Sequence, residues 1–251
     1  MTPLTEVCVE GVDGLVTAQD SGADRVELCT GLAVGGLTPS PGVVERALQV
    51  ARVPVHVLVR PRDGDFVYSD EEFVTMQRDV AWLRDRGAQG VVIGCLAPEG
   101  DIDHDRTRRL VDLARPMSVT FHRAFDHTRD ALEALEVLIH CRIDRLLTSG
   151  QQPTALEGAP LLSALLRAAG DRVTILGCGG LRPHNVSQVL AAVPLKELHF
   201  SALQPVTNRM HARAGQIRLN KGGPEEEDTH QATSAQQVRE MISLIRRSPP
   251  A

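Results

Sequence analysis

Glutamate and cysteine recur two residues apart in Glu6-Val7-Cys8 and again in Glu27-Leu28-Cys29, which offers two thiols and two carboxylates in matching pairs. Arg60-Pro61-Arg62 sets two guanidiniums around a stiff proline, a fork suited to a carboxylate or phosphate. Its competing use is an Arg–Asp brace with Asp63 and Asp65. His122 stands beside Arg123 and near Asp126, and an imidazole there can carry protons near neutral pH or sit as a satisfied core histidine. Ser149-Gly150 and Gly179-Gly180 are short turns in which backbone N–H groups can approach an anion.

The elements that must hold these groups are short. Apolar segments recur near Glu6, Val26, Val55, Val91, Val119, Leu146, Val173 and Leu198, and stretches of helical period separate them. From Glu71 to Arg86, for instance, Phe73, Met76, Val80 and Leu83 share one face. Ser69-Asp70-Glu71-Glu72 is a capping box that starts this helix, and Gly22, Gly87 and Gly170 punctuate helix ends. Strand-to-strand intervals of roughly twenty to thirty-five residues leave room for a crossover helix each time, which forces parallel pairing. The expected fold is α/β, a single (β/α)8 TIM-like barrel spanning 1–251.

Strand alternation then assigns faces. If Val7, Val9, Val26, Leu28, Val55 and Val57 face the helices, the interior receives Glu6, Cys8, Glu27, Cys29, His56, Arg60, His122 and His199. Barrel interiors are usually closed with Val, Ile and Leu, so this polar set calls for either a salt-bridge network or a functional mouth. Glu6 and Glu27 cannot be buried alone, and the expected partners are Arg60, Arg62, His56, His122 or a bound cation.

Composition narrows the partners. A net charge of −5 leaves no cationic footprint for nucleic acid, and no apolar run is long enough to span a bilayer. The start of the chain lacks the pattern of a secretory signal, and five scattered cysteines read as reduced thiols, so a cytoplasmic protein is expected. Residues 204–233 are polar and too long for an ordinary connection, and are expected to form a flexible loop over the functional face before a closing helix at 235–247.

The chain resembles the CutC copper-homeostasis family. The motifs that carry the resemblance are Glu6-Val7-Cys8-Val9, the run from Gly22 to Cys29, Gly35-Gly36-Leu37-Thr38-Pro39-Ser40, Arg60-Pro61-Arg62 with Gly64-Asp65-Phe66, the run from Thr120 to Asp126, and Leu147-Thr148-Ser149-Gly150. The resemblance implies a TIM-like barrel, a cytoplasmic homo-oligomer and a role in copper handling, with Cu(I) held by Cys8 and Cys29. Soft thiolates suit that ion, although two cysteines also fill a barrel interior well. Cys178 and Gln151 stand where the family pattern leads one to expect glycine. No organic cofactor is indicated. The alternative is an isomerase- or lyase-type enzyme for a small, anionic, sugar-like or phosphorylated substrate. In it His122, Glu6 and Glu27 would be the acid–base candidates, and Arg60, Arg62, Arg123, Ser149, Gly179 and Gly180 would bind the anion.

Overall fold

The structure is a computed structural model that describes residues 2–210 and 228–248. Eight parallel strands close into a barrel in sequence order. They are β1 (Leu4–Glu10), β2 (Arg25–Cys29), β3 (Val55–Leu58), β4 (Gly90–Ile93), β5 (Ser118–Phe121), β6 (Arg145–Thr148), β7 (Thr174–Gly177) and β8 (Glu197–Ser201). The connecting helices are α1 (Gly11–Asp20), α2 (Pro41–Val50), α3 (Asp70–Asp85), α4 (His104–Ala114), α5 (Ala131–His140), α6 (Ala159–Ala169) and α7 (Val186–Ala192), and α8 (Ala235–Arg247) closes the ring.

Local chemistry explains the helix starts. The Ser69 hydroxyl accepts from the Glu72 amide while the Glu72 carboxylate accepts from the Ser69 amide, the reciprocal capping box expected at α3. Ser40, Asp103, Asp130 and Ser234 cap α2, α4, α5 and α8 in the simpler one-way fashion.

The large apolar core lies between barrel and helices, where outward strand residues such as Val7, Val26, Leu28, Val57, Val91 and Ile93 meet Met76, Val80, Leu83, Leu110, Leu135 and Leu162. The face assignment from strand alternation therefore holds. The barrel interior carries only small apolar patches: Cys8, Cys29, Leu58 and Val92 on one side, Leu147, Leu176 and Cys178 on the other.

The stretch expected as a flexible loop differs in its ends. Leu203–Thr207 (β9) and Thr229–Thr233 (β10) pair as an antiparallel ribbon, so the backbone polar groups near the barrel rim are satisfied within the segment. Residues 211–227 of that loop lie outside the described residues.

Candidate functional site

The barrel interior is organised in two levels. At the N-terminal end of the strands Arg25, the first residue of β2, donates to Glu6 and to Glu197, and Arg145 from β6 donates to Glu197 and to the Ser118 hydroxyl. The register explains the pairing, because Glu6 lies directly between Arg25 on one neighbouring strand and His199 on the other. His199 Nδ1 bonds Glu6 Oε1 at 2.7 Å, and His56 Nδ1 stands 3.8 Å from the same carboxylate. Burial disfavours the ionised form of Glu6, yet the His199 bond and the Arg25 charge outweigh it and hold the carboxylate well below its usual range. Burial also lowers His56, to about 4, so that ring is neutral.

This arrangement corrects one expectation. The partners of Glu6 are Arg25 and His199, not Arg60, Arg62 or His122. Glu6 belongs to a sealed ionic layer and does not line the cavity above it.

The upper level is a cavity of about 800 Å³ at the C-terminal mouth. Its floor brings together Cys8, Glu27 and His199, whose ligand atoms all lie within 4.8 Å of one another. Cys29 packs behind Cys8 with the two sulfurs 3.8 Å apart, and its thiol points at the Val9 carbonyl. Three effects raise the Cys8 thiol well above its ordinary value: the contact with Cys29, burial, and the neighbouring Glu27 charge. Burial likewise raises Glu27 against the opposing pull of His199. His199 is raised as well, because the Glu27 and Glu6 charges together outweigh its burial. The convergent donors are thus one sulfur, one imidazole nitrogen and one carboxylate, with the Cys29 sulfur behind that of Cys8. Such a set fits a soft or borderline transition metal, with His199 oriented from behind by Glu6 as metal-binding imidazoles usually are.

His122 lines the opposite wall. Its Nδ1 accepts from the Ala124 amide at 3.1 Å, which leaves Nε2 as the protonated nitrogen, buried and without a partner. Burial and the Arg60 charge lower this histidine to about 3, so it is a neutral N–H donor and not a base that titrates near neutrality. Gly94 makes the ring's place, since a Cβ there would overlap His122, and Gly90 does the same for His56.

The arginine pair separates. Arg60 turns inward beside the cavity and donates to the Val34, Gly36 and Gly64 carbonyls, with Phe66 stacked at 5.2 Å. Arg62 does not line the cavity: it turns outward to Glu72 at 2.7 Å and to Asp65 at 2.9 Å, the bracing use.

Arg123, Gly179 and Gly180 line the cavity, whereas Ser149 does not. The turn after β6 holds an anion of the protein's own: the Asp126 carboxylate accepts from the Thr148 and Ser149 hydroxyls and from the Ser149 and Gln151 amides, with Arg123 alongside at 2.8 Å. Arg25 and Arg145 were not among the candidates that the sequence suggested. Both stand at the first position of their strands, where an inward side chain looks like part of the preceding turn. Arg182, another charged residue on the cavity rim, was not among those candidates either.

Fold and site together define a (β/α)8 barrel whose C-terminal mouth is floored by a thiol–imidazole–carboxylate cluster. The chain belongs to the CutC family, whose sequence profile matches residues 3–204. It is 55% identical over 217 residues to a CutC family protein of Mesorhizobium japonicum, covering 86% of this chain and 84% of the relative. It is 38% identical over 243 residues to the human copper homeostasis protein cutC homolog, covering 97% and 89%. The crystal structure of a candidate copper homeostasis protein CutC from Streptococcus agalactiae superposes with a TM-score of 0.75 at 30% identity, over 78% of this chain and 97% of that one. A KDPGal structure, at 17% identity and TM-score 0.56, shares the fold alone.

Proposed function

We propose that the protein handles copper as cargo and binds Cu(I) through the thiolates of Cys8 and Cys29 at the cavity floor, with His199 and Glu27 completing its surroundings. The observation that carries this reading is the 3.8 Å separation of the two sulfurs. With metal–sulfur bonds of ~2.3 Å, that spacing lets both sulfurs reach one ion at an angle of roughly 110°, which leaves room for a third donor. The copper-homeostasis names of the human and mouse relatives support the same reading. It includes the cytoplasmic setting and homo-oligomeric assembly that the family resemblance implies.

The acid–base alternative has less support. Of its candidates, Glu6 lies in the sealed layer and His122, although it lines the cavity, is held neutral, which leaves Glu27 as the acid–base group. X-ray absorption on protein loaded anaerobically with one equivalent of Cu(I) tests the copper reading. A sulfur-dominated first shell that disappears in Cys8→Ser/Cys29→Ser is expected, and a shell of nitrogen and oxygen only would overturn it.

A further inference from the structure

A metal ion needs a few ångströms of space, yet the mouth cavity encloses about 800 Å³, within the range of sites that take small organic molecules. Its walls have the mixed character of such sites. Leu32, Phe66, Leu147 and Phe200 supply apolar surface, and Arg60, His122 and Arg182 converge on the same space.

Two carboxylates line the same space, but Glu27 faces His199 and Asp65 pairs with Arg62, so neither pairs with these cations. Arg60 is only 6% exposed, and no carboxylate among the described residues pairs with it. Carbonyls take three of its bonds, but carbonyls hold a guanidinium without cancelling its charge. Arg182 is also without a carboxylate partner among the described residues and bonds the Leu181 and Ser201 carbonyls. A buried cation facing a cavity without a paired counter-ion is destabilising unless something anionic enters.

Two unsatisfied donors strengthen the point. His122 Nε2 and Arg60 Nε are both buried without a hydrogen-bond partner, and the two side chains flank Phe66, whose ring centroid lies 5.0 Å from that of His122 and 5.2 Å from the Arg60 guanidinium carbon. Orphaned buried donors of this kind are uncommon and call for a missing acceptor. Because His122 is 6% exposed and lines the cavity, that acceptor must come from inside it.

We infer that the mouth of the barrel binds a small organic anion whose carboxylate or phosphate group is countered by Arg60 and accepts a hydrogen bond from His122 Nε2–H, its carbon skeleton lying against Phe66 and the leucines. The anion site shares the cavity with the proposed copper donors but uses the wall residues above that floor, and it needs no metal.

The test is calorimetric titration of the metal-free full-length protein, kept in excess chelator, with malonate, glycerol 3-phosphate and inorganic phosphate at constant ionic strength. Saturable binding of malonate or glycerol 3-phosphate is expected, at least tenfold tighter than inorganic phosphate, and the tighter of the two identifies the anionic group. Arg60→Lys keeps the charge but not the fork, and His122→Phe removes the donor while keeping the ring. Each should weaken binding at least tenfold. Arg60 also braces its loop, so the melting temperature of each variant is recorded, and Arg182→Ala, at an exposed position, provides a variant without a folding risk that should weaken binding about threefold. Cys8→Ser/Cys29→Ser should bind the anion normally, which separates this result from the copper reading. Absence of saturable binding by the wild type, or binding unchanged in His122→Phe and Arg182→Ala, overturns the inference.

Discussion

Cys8 on β1 and Cys29 on β2 hold their sulfurs 3.8 Å apart, although the strand register places Cys8 beside Glu27 and Cys29 beside Glu10. The two thiols are diagonal neighbours on the inner face of one parallel pair, so their approach depends on side-chain direction and not on register alone. Cys8 is also the sulfur that faces the cavity, with Cys29 behind it. On the proposed copper reading, an incoming ion therefore meets Cys8 first.

The raised Cys8 thiol keeps its proton at neutral pH, and a metal must displace it. Cu(I) affinity should accordingly rise by about tenfold or more per pH unit between pH 6 and 8, because at least one proton leaves for each ion bound. Chelator competition across that range checks it. A flat profile would mean that the thiol is not the ligand.

The lower ionic layer is structural, and Arg25 is its centre. Replacing Arg25 by Met leaves Glu6 and Glu197 with fewer compensating charges in a buried setting, and should cost about 3–5 kcal/mol in urea unfolding. Adding Glu6→Gln to that variant should recover part of the loss, since it removes the charge left behind. High salt should change the wild-type stability little, as buried pairs are weakly screened.

Gly94 and His122 form a size-matched pair. Gly94→Ala should destabilise by about 1–3 kcal/mol through overlap with the imidazole. In a His122→Ala background the same change should be nearly neutral, and a double-mutant cycle by thermal unfolding measures the coupling.

Acidification should destabilise the fold before its carboxylates protonate. His56 and His122 are lowered to about 4 and about 3, so between their unfolded value of 6.5 and those figures the unfolded chain binds protons that the folded one does not. Stability then falls as pH drops, by roughly 1 kcal/mol per pH unit for each histidine. Glu6 acts in the same direction: its lowered value contributes stability above about pH 4.5, and this is lost on further acidification. His122→Phe should flatten the melting-temperature profile between pH 6 and 4, and an unchanged slope would contradict the assignment.

The barrel and the inward set of residues were legible from the sequence, because strand alternation is a local rule and the outward valines obey it. The distribution of charge was not. Arg60 and Arg62 look equivalent in sequence and even share the interior parity, but β3 ends at Leu58, and Arg62, past a proline, finds Glu72 ten residues on. Asp126 fills the turn made by Ser149 and Gln151, over twenty residues away, which no spacing rule reveals. Arg25 reaches Glu197 across 172 residues of chain, a contact that only barrel closure creates.

The most direct measurement is anaerobic Cu(I) binding by chelator competition on the wild type, Cys8→Ser/Cys29→Ser and Arg60→Ala. The copper assignment predicts one tight site that is lost in the double cysteine variant and kept in Arg60→Ala. Weak binding in the wild type, or binding indifferent to both cysteines, would contradict it.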